Sequence, residues 1–118
     1  PGTLVVEGRA YGEERDLAAR LASSPGIAGW PVVVLVDSLG EATVSLQEFL
    51  WTLFTRFEPA ADIHGSVTTV RRFHVGLQEP VVFDCRMKPW YPHVLEVDPE
   101  TRKRVDEKLP RILPSGLR

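Results

Sequence analysis

The longest unbroken apolar run is Val32, Val33, Val34, Leu35 and Val36, ended by Asp37. A strand exposed on one face alternates apolar with polar, so a run without alternation predicts a strand covered on both faces, as in the middle of a parallel sheet. Downstream the period changes. Ser45 stands three residues before Glu48, the spacing of a capping box, and Val44 and Phe49 hold the positions of a hydrophobic staple. Leu46, Phe49, Leu50, Leu53, Phe54 and Phe57 then recur at spacings of three and four until Pro59, which predicts a helix laying one apolar stripe against the sheet. Trp51 falls outside that stripe and points sideways or outward. Its cover is either a second layer of the same domain, such as the Pro-Trp-Tyr segment farther on, or a subunit or domain interface.

The flanking segments read more coarsely. Thr3 to Val6 predicts a short strand, and Glu13 to Ser23 a helix in which Leu17, Ala18, Leu21 and Ala22 share a face. The stretch SSPGIAGWP is a breaker-laden connection. After Pro59, GSVTTVRRFHV is rich in β-branched residues and reads as one strand, PVVFDCRM reads as another, and the two form an antiparallel edge. From Lys88 to His93 two prolines stiffen an extended crossing that carries Trp90 and Tyr91 and drapes over a neighbour. Asp98 followed by Pro99 opens a charged helix to about Lys108, with Val105 and Leu109 as its sparse apolar positions. That helix is either a solvated terminus or an arm packed on a partner, with Ile112 and Leu113 as apolar residues to bury. Together these features predict one α/β domain over residues 1–118. It is small and layered, with about four strands, two helices packed on the sheet and a C-terminal charged helix, residues 88–118 forming the proline-rich crossing and terminal helix.

Composition narrows the function classes. With 14 basic and 16 acidic residues the chain lacks the electrostatic footprint of a nucleic-acid binder, and Arg71 and Arg72 read as a solvated edge. Neither a basic amphipathic helix nor an apolar run of membrane length is present. Cys85 is the single cysteine, so no internal disulfide forms, and without a signal-peptide pattern a reducing, cytoplasmic setting is expected.

Chemistry-bearing constellations are sparse. His64, His74 and His93 lie 10 and 19 residues apart, and with Asp62, Asp84 and Cys85 they match no local zinc-site spacing. Strand alternation sends Asp84 and Cys85 to opposite faces, which favours a buried, inert thiol over a nucleophile. The glycines Gly8, Gly12, Gly26 and Gly29 make no phosphate cradle. Arg56 and Asp62 are the most suggestive polar pair, placed to bond across the end of the helix. They serve either as a fold-stabilising corner or as a surface that seats a neighbouring catalytic domain.

VVVLVD, a short turn and then FLWTLFTRFEPAADI resemble the C-terminal region of the UbiD family, the prenylated-flavin-dependent decarboxylases and carboxylases of aromatic and unsaturated acids. The family's Thr-Arg-x-x-Pro-x-x-Asp-Ile ending is matched by Thr55, Arg56, Pro59, Asp62 and Ile63. YGEERDLAARLASS and EPVVFDCRMKPWYPHVLEVDPETRKRVD are similar to the preceding helix and to the final strand, crossing and helix, so the resemblance covers most of the chain. Where many members carry Val-Asp-Asp-Asp-Ile-Asp, this chain has Asp37 followed by SLGEA with Glu41. The family's Glu-Arg-Glu/Asp constellation, most flavin contacts and its divalent-metal ligands lie in an upstream region several times longer than anything here. The resemblance therefore implies a non-catalytic part of a decarboxylase, either a small subunit or a C-terminal domain, that serves assembly and active-site closure. It implies prenylated FMN and a divalent metal in a partner chain, and a larger UbiD-like catalytic subunit or missing upstream domain as that partner. Interface candidates are Trp51, Arg56, Asp62, Trp90, Tyr91, Ile112 and Leu113, and a homo-oligomer is possible. The alternative is a free-standing oligomerisation or interaction module with no enzymatic role.

Overall fold

The computed structural model describes residues 2–93 and 97–112, leaving aside the side chains of 109–112. Its elements run β1 (Thr3–Glu7), α1 (Leu17–Ala22), a 3-10 turn (Pro25–Ile27), β2 (Val32–Val36), α2 (Leu39–Ala42), α3 (Leu46–Thr55), β3 (Ile63–Gly65), β4 (Thr68–Arg71), β5 (His74–Leu77), β6 (Val81–Asp84) and α4 (Pro99–Ile112). The chain is α/β, as the pattern predicts, with the main sheet ordered β1-β2-β6-β3. β2 is central and parallel to both β1 and β6.

Because β2 is covered on both faces, its alternation sorts two cores. Val33 and Leu35 join Val82, Ala18, Ala22 and Ile27 on the α1 face, whereas Val34 and Val36 join Ala42 and Cys85 on the face of α2 and α3. Small alanines bring α1 close. A Cβ on Gly8 would stand 2.7 Å from a Leu35 methyl and 2.8 Å from one of Leu17, so a larger residue there would make both leucine side chains shift. Phe57 and Phe83 meet edge to face, ring centres 5.6 Å apart, and close the second core.

Four elements differ from the sequence reading. α1 is confined to Leu17–Ala22, the preceding segment being turns around an Arg20–Glu14 ion pair. GSVTTVRRFHV is not one strand: it divides into the end of β3 and a β4–β5 hairpin that turns at Arg72 and Phe73, with Arg72 at φ 58°. The antiparallel neighbour of β6 is therefore the short β3. α2 is a turn of helix that the reading omits, and Ser38 caps it by accepting from the Glu41 amide. α4, capped by Asp98, runs past Lys108 to Ile112.

The six-residue stripe of α3 also divides. Phe49, Leu53 and Phe57 pack on the sheet, while Leu46, Leu50 and Phe54 stay exposed. At ~100° per residue the six span an arc of about 140°, wider than one sheet face covers. The Ser45 cap stands as read, its hydroxyl accepting from the Glu48 amide at 3.1 Å.

Candidate functional site

In a parallel sheet, functional groups collect beyond the C-terminal ends of the strands. Here Asp37 follows β2 and Asp84 ends β6, and around and beyond them the chain buries charge. Asp84, Arg86 and Lys88 are each 0–1% exposed and Asp62 is 4% exposed. Asp84 takes Arg86 bidentately, through Nε at 2.9 Å and Nη2 at 2.6 Å. The remaining arm, Nη1, donates to the carbonyls of Arg9 at 2.9 Å and Glu14 at 3.0 Å. Burial opposes a charged Arg86, but the Asp84 hydrogen bond and charge outweigh it and raise its pKa.

Lys88 is equally enclosed. Its Nζ donates to the carbonyls of Arg56 at 2.7 Å and Asp84 at 2.5 Å, and pairs with Asp62 Oδ2 at 2.9 Å. The rings of Tyr11 and Tyr91 flank it at 5.6 and 5.8 Å. Asp62 also accepts from the Glu58 amide at 2.7 Å, and Asp37 accepts from the Met87 amide at 2.6 Å and from Arg56 Nη1 at 3.4 Å.

These bonds correct the sequence reading at one point. Arg56 and Asp62 do not pair with each other: Arg56, at the end of α3, reaches back to Asp37, and Lys88 enters between the two. Lys88, which opens the proline-rich crossing, belongs to this buried cluster. Arg86 and Lys88 went unread as site residues. Their signal was the alternation of charge at Asp84, Arg86 and Lys88 directly after an apolar strand, which sets three charges at a period of two.

The other candidates lie around this brace. Trp90 is 58% exposed and donates from Nε1 to Glu58 at 3.2 Å, while the half-buried Tyr91 donates its hydroxyl to the same oxygen at 3.3 Å. Burial, with the Glu58 carboxylate behind it, pushes the Tyr91 phenol up to about 12. Trp51 is 66% exposed, so the crossing does not cover it. It faces Tyr91 and Pro92 across a cleft of about 570 Å³, whose other walls are Thr55, Arg56, Met87 and His93. A second cleft, about 750 Å³, lies on the Tyr11 side of the same crossing. The helical range of α4 includes Ile112, but its side chain and all of Leu113 lie outside the described residues.

Cys85 is fully buried, its Sγ 3.9 Å from the Leu53 carbonyl, and burial pushes its thiol up to about 12. Among the described residues no group of three or more His, Cys, Asp and Glu side chains is placed to hold an ion. No buried side-chain nitrogen or oxygen among them lacks a partner. The carboxylates that would serve a divalent metal are held by Arg86, Lys88 and Arg56, and the two most deeply buried cations that would hold a flavin phosphate, Arg86 and Lys88, are already paired with carboxylates of this chain. These residues therefore fit neither prenylated FMN nor its metal. The arrangement is a brace: it fixes where Arg56, Met87 and Tyr91 stand, its buried carboxylates and cations being paired with one another.

No protein-family model matches the chain. It is, however, 37% identical over 107 residues to a 4-hydroxybenzoate decarboxylase subunit of Chlamydia pneumoniae, a match that takes in 91% of this chain and 18% of that protein. The chain is similar to part of a decarboxylase subunit. An uncharacterized protein of Chlamydia trachomatis is 36% identical over 107 residues, with the same 91% and 18% shares. The chain thus spans about a fifth of the length of the curated relatives it matches. A structure of the vanillic acid decarboxylase of Sedimentibacter hydroxybenzoicus in open form aligns with a TM-score of 0.51 at 20% identity, over 93% of this chain and 26% of that one. At that identity the alignment speaks for the shared α/β fold. Among the described residues no helix is long and apolar enough to cross a membrane.

Proposed function

We propose that this chain is a non-catalytic part of a UbiD-like decarboxylase acting on aromatic or unsaturated carboxylic acids, and that it helps assemble and close a site whose chemistry resides in a larger partner. The observation that carries this reading is the asymmetry of the match: nearly all of this chain is similar to a fifth of a decarboxylase subunit. The matches give the length of the shared stretch, and its position at the C-terminal end of the longer protein is part of the proposal. So are prenylated FMN and a divalent metal bound by the partner, and a cytoplasmic setting. The closed charge network supports a bracing role, since each buried polar side chain among the described residues is committed to holding shape. The face offered to the partner is the cleft of Trp51, Arg56 and Tyr91 with Trp90 beside it, which Asp62 supports from within. Ile112 and Leu113 are further interface candidates in the proposal.

A second reading, the free-standing oligomerisation module, is favoured by the exposed apolar residues of α3 and of the β4–β5 hairpin. One experiment separates the two. The full chain is mixed with the large UbiD-like chain of the same cell, and both elution and decarboxylation of an aromatic acid are followed. Co-elution with a faster rate is the expected result. Unchanged elution and rate would move the assignment to the module, and turnover of an aromatic acid by this chain alone would end the non-catalytic reading.

A further inference from the structure

The β4–β5 hairpin is attached to the domain without being packed into it. Its two strands pair only with each other, and at the base Ser66 and Val67 exchange backbone hydrogen bonds with Gln78. Every residue of β4 is exposed, as are three of the four in β5. A two-stranded hairpin with no layer against it is marginal in water. The turn weakens it further. Arg71 pairs with His74, so Arg72 and Phe73 form a two-residue loop, and the positive φ of 58° falls on the first of them. Glycine fills that position in the II′ turns that join such strands, and an arginine holds it at a steric cost.

The flanks of the hairpin are built differently. β3 leads into it and β6 follows it, and both belong to the main sheet, in which β6 lies between β2 and β3. A break at the tip would leave β2 and β3 in one piece and β6, clamped between them, in the other. Beyond β6 the second piece adds Arg86, bonded to the carbonyls of Arg9 and Glu14, and Lys88, bonded to that of Arg56 and paired with Asp62. All four of these partners lie in the first piece.

We propose that the hairpin opens as a unit of its own while the main sheet stays closed, and that its tip, Arg71-Arg72-Phe73, is a site of nicking by a protease that reads basic residues. The cut is a hydrolysis. One water is consumed at the Arg72–Phe73 peptide bond, leaving a carboxylate on Arg72 and an amine on Phe73. The product is two chains that remain one domain, because β6 leaves only by breaking its pairing on both sides. Exposure by itself does not select the site. Trp51 and Phe54 stand 66% and 68% exposed, but α3 is held to the sheet by Phe49, Leu53 and Phe57. The inference concerns this chain by itself and stands whether or not the decarboxylase reading does.

Limited digestion of the full chain tests it. Ahead of α4, trypsin is expected to cut first after Arg71 or Arg72, and cuts within α4 are told apart by mass. Chymotrypsin should cut after Phe73 about tenfold or more faster than after Trp51 or Phe54, since cleavage follows the population of the open form. Arg71→Gln combined with Arg72→Gln should abolish the tryptic nick and keep the chymotryptic one. The nicked chain should elute with the intact one and split only in denaturant. Hydrogen exchange reads the opening without a protease: the amides of residues 68–77 should exchange on the order of a hundredfold or more faster than those of Val34 and Val82. Hairpin amides protected as strongly as those of β2 and β6 overturn the proposal, as do first cuts within α1 or α3. Halves that separate on the column without denaturant overturn it equally.

Discussion

Where β2 and β6 end, the chain hides its charges: Asp84, Arg86 and Lys88 are buried, and each is met by a bond of its own. Along the β4–β5 hairpin and the outer side of α3 it leaves apolar groups in water, Phe73 completely so and Trp51 and Phe54 at 66% and 68%. A domain selected to stand alone tends toward the reverse arrangement. The contrast locates stability and association in different places. Truncating a buried ionic partner strands a charge, whereas truncating an exposed apolar group removes only what a neighbour would have covered.

Asp84→Ala puts the first half of the contrast at greatest risk. It leaves the guanidinium of Arg86 buried without its carboxylate, and urea unfolding should show a loss of about 3–5 kcal/mol. A loss within experimental error would mean that the network is decoration. Lys88→Met strands the buried Asp62 carboxylate, which keeps the Glu58 amide as a partner, and the same assay should show a loss at the lower end of that range, about 3 kcal/mol.

Alkaline unfolding sharpens the comparison further. The Cys85 thiol moves from 9.0 to about 12 and the Tyr91 phenol from 10.0 to about 12, both chiefly through burial. The folded chain therefore holds protons that the unfolded chain releases. Stability is fully present below pH 9 and falls as the pH climbs from about 9 toward about 12. Cys85→Ala and Tyr91→Phe should each flatten that slope. Least affected is Phe73→Ser: at a dilution where the chain is monomeric, its urea midpoint should match the wild type, and a clear drop would place Phe73 in the fold after all.

Periodicity carried much of this architecture. The run of β2 announced a strand buried on both faces, and the Ser45–Glu48 spacing announced the start of α3, because both signals are local. α2 was equally legible, Ser38 standing three residues before Glu41, but a single turn of helix leaves no apolar period to draw attention to it. The hairpin was hidden by composition. A turn at Arg72 and Phe73 has none of the Gly or Asn that normally marks a left-handed position, so two short strands read as one. The charge network was the least legible. Which carboxylate meets which cation depends on where β6 lies beside β2, and that is a tertiary fact: Arg56 pairs with Asp37 and leaves the nearer-in-sequence Asp62 to Lys88.

The two carbonyls that Arg86 gathers belong to residues 77 and 72 positions earlier in the chain. At ~5–20 residues per second, a ribosome that has just made Arg9 needs roughly 4–15 s more to deliver the guanidinium that will hold it. Through that interval the turn after β1 waits without its clasp. A nascent chain stalled before Arg86 would therefore offer that turn to proteases, and the finished one would not.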